Sequence, residues 1–169
     1  MTRKRTVGPL ALTAAVTGAM SWAAFATPRD GPPPLLVNES PSLPMGVYRR
    51  LGDDIRRGAI VAAPQPDRGR PYLAGLGMPA EVVLIKRVAA VGGDRVCVQG
   101  DRVVAGETVR TAHSRDSRGR RLPRWSGCRR LQEGELFLLG DTPGSFDSRY
   151  FGPVDRTAVT GVYREVFRW

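Results

Sequence analysis

Beyond residue 35 no stretch repeats apolar residues at helical spacing through three turns, and Ser42–Arg50, the nearest to doing so, is short. The apolar runs are brief and rich in β-branched residues: Ala59–Ala63, Val82–Val91, Arg95–Val98, Arg102–Val104, Leu136–Leu139 and Val159–Val166. Turn residues separate them. Gly92-Gly93-Asp94 and Gln99-Gly100-Asp101 predict hairpin closures, and Pro64 and Pro66 end the first run. The expected fold is therefore mainly β and antiparallel. The closing aromatics Tyr163, Phe167 and Trp169 are expected to pack within a strand, and Phe146, Tyr150 and Phe151 to pack against a site or touch lipid.

With 169 residues the chain suits one domain and an appendage, and it can bury a core. The appendage comes first. Arg3, Lys4 and Arg5 precede Val7–Ala26, which carries no charge and as a helix would span about 30 Å, the thickness of a bilayer core. Residues 1–27 are thus expected to be a membrane anchor or a signal helix; Ala24-Phe25-Ala26 has the small-x-small form of a cleavable leader. Either way the basic end stays in the cytoplasm and the rest is exported, to lie at the inner membrane facing the periplasm or exterior, or in the periplasm itself. Residues 28–34 are proline-rich and predict an extended spacer, leaving 35–169 as the folded domain.

The net charge of +10 would suit nucleic acid or an anionic membrane face, yet the arginines are scattered in pairs and not gathered into a stripe. The densest stretch, Arg115–Arg130, also holds Gly119, Pro123 and Gly127 and reads as a solvated loop. No nucleic-acid partner is expected. Cys97 and Cys128 fit an oxidising compartment, where an even pair most often forms a disulfide; here it would staple that loop. They are too few for a cysteine-only zinc site, and His113, the one histidine, has no ligand-spaced partner, so no metal and no cofactor are expected.

Lys86 stands out as the one lysine beyond the N-terminal tail of an arginine-rich chain, set in the apolar run Val82–Val91. A lysine on a strand edge can simply snorkel to water, and a bias toward arginine can reflect codon usage. Unlike arginine, though, a buried lysine can lose its proton and act as a base. That requires lowering a pKa of ~10.4 to ~7 or 8, a cost to the ammonium of roughly 4 kcal/mol, which Val83, Ile85 and Val88 are expected to impose by desolvation. Arg87 should face the other way, because adjacent strand residues do.

Two further segments bear on that lysine. In Asn38-Glu39-Ser40-Pro41-Ser42-Leu43-Pro44-Met45-Gly46-Val47-Tyr48, prolines and a glycine would hold two serine hydroxyls on a rigid turn. In Gly140-Asp141-Thr142-Pro143-Gly144-Ser145-Phe146-Asp147-Ser148-Arg149-Tyr150-Phe151-Gly152-Pro153-Val154, a polar loop follows a strand directly. These segments, with Lys86–Asp94 between them and a hydrophobic N-terminus ahead, resemble the type I signal peptidase family of serine–lysine peptidases. The Ser-x-Pro-x-Gly-x-Tyr form at Ser42 and the run Ser145–Val154 look most like its TraF branch, the peptidases of conjugative transfer systems. The resemblance implies a signal-peptidase-like antiparallel β domain. It implies Ser42 as nucleophile, Lys86 as general base, and Ser145 as a hydroxyl that orients the amine. Ser40, with the Ser42 N–H, would bind the oxyanion; Asp147 and Arg149 would shore up the site, and in the TraF branch the aspartate is counted essential. The family's asparagine after the aspartate is replaced here by Thr142, so Asp141 is expected only to shape a turn.

The implied substrate is an exported precursor with small residues before the cut, such as a conjugative pilin, taken up beside membrane lipid as an added strand. Hydrolysis and ring closure remain alternatives, as do general leader removal and a non-catalytic, membrane-tethered β module of a secretion or conjugation apparatus.

Overall fold

The computed structural model describes residues 31–169, so the expected anchor over 1–27 and the first spacer residues lie outside it. Eleven strands form among the described residues: β1 Leu35–Asn38, β2 Gly46–Gly52, β3 Ile60–Ala63, β4 Leu84–Ala90, β5 Arg95–Gln99, β6 Arg102–Ala105, β7 Thr108–Thr111, β8 Gly127–Arg130, β9 Glu135–Leu139, β10 Val154–Asp155 and β11 Gly161–Arg168. One 3-10 turn, Arg156–Ala158, and two short α-helices, α1 Arg70–Gly75 and α2 Ser148–Phe151, join them. Neither reaches three turns, and no helix among the described residues is long and apolar enough to cross a membrane. Ser42–Arg50 is not helical: its first half is a turn and its second half enters β2.

A seven-stranded sheet runs β1-β2-β11-β3-β4-β9-β10 and a four-stranded sheet runs β7-β6-β5-β8, with every pairing antiparallel. Gln99-Gly100-Asp101 closes the β5–β6 hairpin as expected, Gly100 supplying the positive φ such a tight turn needs. Gly92-Gly93-Asp94 does not close a hairpin. It carries the chain from the large sheet to the small one, because the Gly93 N–H is taken by Leu131 O and Asp94 N by Val91 O.

β4 is buried almost throughout, where an alternating strand would expose one face. It is a central strand, and a bulge at Ala89, seen as a register shift against β9, turns Ala89 and Ala90 toward the small sheet. There they join Val96, Val98, Val103, Phe137 and Trp125 in one core cluster, while Leu84 and Val88 join Val61, Leu136 and Leu138 in another. Cys97 and Cys128 are directly opposed on β5 and β8 and form a disulfide, closing the end of the long β7–β8 loop. The aromatic ending departs from expectation. Tyr163 is buried and donates its hydroxyl to Pro33 O at 2.9 Å, but Phe167 and Trp169 stay exposed with ring centroids 6.1 Å apart. That bond, with Arg50 N to Pro34 O at 2.8 Å, ties the end of the spacer to the domain.

Candidate active site

The turn between β1 and β2 is built around Asn38, a residue without reactive chemistry of its own. Asn38 is buried, and its amide nitrogen donates to Ser40 O at 2.9 Å, Leu43 O at 3.1 Å and Pro44 O at 3.0 Å, while its oxygen accepts from Ser40 N at 3.2 Å. Tyr48, also buried, donates its hydroxyl to Pro44 O at 2.7 Å. Two prolines limit φ along this turn, and the carbonyls they leave without strand partners are gathered by these side chains. The available signal was an asparagine two residues ahead of a serine–proline turn, a common way to cap such a turn.

The turn delivers Ser42 to β4. Lys86 Nζ donates to Ser42 Oγ at 2.8 Å and to Ile85 O at 3.1 Å, with both residues buried. On a strand, side chains two apart share a face, so Leu84 and the expected Val88 flank Lys86, with Val61 opposite on β3, while the expected Val83 and Ile85 line the cleft that opens on the amine. Burial is the main force that lowers the Lys86 pKa from 10.5 to about 8; the Asp147 carboxylate pulls it up and the Arg149 guanidinium pushes it down. An amine in that range can receive a hydroxyl proton near neutral pH.

Ser40 stands on the same turn. Its hydroxyl donates to Ser42 Oγ at 2.9 Å and accepts from Ser42 N at 3.2 Å. The two groups expected to hold an oxyanion therefore lie side by side, each engaged with the other.

The third segment begins at Gly140, whose N–H donates to Asp147 Oδ2 at 2.9 Å. A Cβ there would collide with the Ser145 side chain and the Ser42 carbonyl, so only glycine lets the loop close on the Ser42 turn. Asp141 does more than shape a turn. Its N–H donates to Ser42 O at 2.7 Å, and its carboxylate receives Arg87 through two bonds of 2.9 and 2.8 Å. Arg87 thus works on the face opposite Lys86, as expected, and clamps the loop to β4.

Asp147 and Arg149 are fully buried as a two-pronged pair. Arg149 also donates to the carbonyls of Thr111, Pro143, Thr142 and Ser145, at 2.8, 2.9, 3.3 and 2.7 Å, binding the loop to the end of β7. Ser145 is buried beside Gly140, but its Oγ has no hydrogen-bond partner among the described residues, so the expected bond to Lys86 is not formed. The amine has already spent two donors on Ser42 and Ile85. His113 lies exposed in the β7–β8 loop, away from any metal-like cluster among the described residues. A cleft of about 340 Å³ reaches Ser42 and Lys86, walled by Leu36, Met78, Val82, Val83, Leu84 and Ile85.

A serine, a buried amine and a braced loop of this kind define a class, and the family described as signal peptidase, peptidase S26, matches residues 4–169. The chain belongs to that family. Among its relatives, a plasmid transfer protein TraF of Escherichia coli is 36% identical over 146 residues, spanning 79% of this chain and 82% of that protein. A conjugal transfer protein TraF of Agrobacterium fabrum is 34% identical over 143 residues, 78% of this chain and 81% of the relative. A crystal structure of a signal peptidase I from Enterococcus faecalis V583 aligns at a TM-score of 0.40 and 23% identity, covering 66% of this chain and 98% of its own.

Proposed function

We propose that the chain is a serine endopeptidase in which Lys86 activates Ser42 to cut an exported precursor of a conjugation apparatus, such as a pilin. The 2.8 Å contact between the Lys86 amine and the Ser42 hydroxyl, in a pocket that brings the amine to about 8, carries this reading. The neutral amine takes the hydroxyl proton as Ser42 Oγ attacks the scissile carbonyl; the same proton then passes to the departing amine, leaving an acyl-serine. Ser42 N–H and the Ser40 hydroxyl turn from each other to the oxyanion, where their bonds strengthen as charge develops. Asp147 and Arg149 hold the loop and set the field at the amine.

The substrate enters as a strand. β1 is the edge of its sheet, with one side unpaired, and it borders the apolar cleft beside Ser42. A mostly apolar cleft of about 340 Å³ suits small side chains before the cut. The TraF relatives favour a conjugation precursor over general leader removal. The exposed Phe167–Trp169 pair lies beside the nucleophile turn, with Trp169 N donating to Met45 O at 3.2 Å, and suits a lipid surface near an exported domain. The disulfide suits that compartment. Water resolves the acyl-serine to a linear product and an amine of the same chain to a ring.

The test is covalent labelling. A mechanism-based serine acylating inhibitor should add one adduct by intact mass to the wild type and none to Ser42→Ala. An unlabelled wild type of native fold would leave a binding module as the function. Co-expression with a candidate pilin then reads the product, since ring closure lowers its mass by one water relative to the trimmed linear peptide.

A further inference from the structure

A second cleft, of about 610 Å³, lies behind the catalytic loop, and we propose that it is an exosite for an acidic segment of the precursor, outside the residues around the cut. This rests on the peptidase reading above. The floor is aromatic: Phe146 and Tyr150 stack at 5.4 Å with planes 7° apart, and Tyr72 of α1 leans on Phe146 at 4.6 Å. The rim is the β7–β8 loop, which contributes Arg115 and Arg118.

Charge decides what such a cleft accepts. Its one carboxylate, Asp116, is already committed to Tyr72 Oη, the Arg120 side chain and the backbone N–H groups of Arg118 and Arg120. These bonds hold its pKa below the usual carboxylate range, so it stays an internal brace that neutralises Arg120. Arg115 uses one nitrogen on Gly119 O, and neither Arg115 nor Arg118 has a carboxylate partner among the described residues. Two exposed guanidiniums without counter-charge over an aromatic floor fit a carboxylate next to an apolar or aromatic side chain, through charge-assisted bonds and stacking. The net charge of +10 adds attraction at longer range.

The cleft also touches the machinery. Gly144 and Phe146, the neighbours of Ser145 on both sides, line it, and Tyr150 Oη accepts from His113 N at 3.1 Å. Arg149 joins the start of the rim loop to the catalytic loop through Thr111 O and Ser145 O. A precursor held here is therefore tethered to the enzyme by a surface separate from the Ser42 cleft.

Binding is measured on full-length Ser42→Ala protein by fluorescence anisotropy, with a rhodamine-labelled glutamate-rich peptide containing one phenylalanine and its glutamine counterpart. The acidic peptide should bind, and Arg115→Gln with Arg118→Gln should weaken it at least ~tenfold, the loss expected from one or two charge-assisted bonds. The glutamine peptide should bind weakly and be indifferent to the variants. Equal binding of both peptides, or an acidic peptide unmoved by the substitutions, overturns the exosite. So does arginine-dependent binding to phosphatidylglycerol vesicles but not to the peptide. In turnover, the double variant should raise KM for a substrate bearing an acidic tail and leave kcat, and all constants for the untailed substrate, unchanged. If the wild type cleaves neither substrate the peptidase reading fails, while the anisotropy result still decides the exosite.

Discussion

The chain buries two cations within one loop's reach and treats them in opposite ways. Arg149 is given every acceptor it can use: a two-pronged carboxylate and four backbone carbonyls. Lys86 is given a hydroxyl, one carbonyl and aliphatic walls. Burial penalises both charges, but only Arg149 is compensated, so it remains a fixed cation while Lys86 is brought to where it can shed its proton. The residue types match the treatment. A guanidinium cannot deprotonate and presents donors in a rigid fork, which suits a brace; an ammonium is a point charge whose proton is removable, which suits a base. A buried charge with a full set of partners is structural, and one denied them is available for chemistry.

The sharpest way to break this contrast is to exchange the cations. Lys86→Arg keeps a charge but cannot give up its proton, and cleavage of a precursor peptide should fall about ten-thousand-fold or more, as when a nucleophile–base pair is broken elsewhere. Near wild-type turnover would end the case for Lys86 as base. Arg149→Met strips the brace and leaves the Asp147 carboxylate buried and unpaired, which should cost about 3–5 kcal/mol in urea unfolding. A loss under ~1 kcal/mol would mean that Arg149 is not the cation holding the loop.

Much of this contrast was legible in the sequence, and the illegible part has a common cause. Six of the strands lie on the apolar runs, because burial of β-branched runs between turn residues is a local pattern. The other five carry no such pattern: β1 and β10 are only four and two residues long, Arg49, Arg50 and Arg110 interrupt the alternation of β2 and β7, and β8 is exposed along its whole length. The Ser42 turn, Lys86 and the Ser145–Val154 loop are visible in the sequence as motifs, whereas partners set by tertiary register are not. Val61 faces Lys86 only through the β3–β4 pairing, and Arg87 finds Asp141 only because β4 runs beside β9. Asn38 is hidden for a different reason: its effect lies in the carbonyls of the next few residues and not in any reactive side chain.

The uncompensated state of Lys86 should be measurable as a stability deficit. Its folded pKa lies below the unfolded one, so between about 8 and 10.5 the unfolded chain binds more protons and stability from this residue rises with pH. Below about 8 the penalty is fully present; above 10.5 it is gone. At ~1.4 kcal/mol per pH unit the gap amounts to about 3 kcal/mol. Lys86→Met should therefore be more stable than wild type by about that much at pH 7, with the advantage shrinking steadily from pH 8 upward. A Met variant no more stable at pH 7 would mean that the amine is solvated or paired after all.

The finest probe is the pH profile, because the two members of the brace pull the amine in opposite directions. Activity should rise with pH along a limb whose midpoint lies near 8, where Lys86 becomes neutral. Asp147→Asn removes the carboxylate that favours the ammonium and keeps the Arg149 charge that opposes it, so the limb should move to lower pH. Arg149→Met removes the opposing charge and should move it to higher pH, by less than about one unit each way for charges that do not touch the amine. A purely structural brace would lower activity in both variants without moving the limb. Shifts of opposite sign follow only if Lys86 is the titrating group and the pair acts on it through space, because the same two substitutions damage the loop alike.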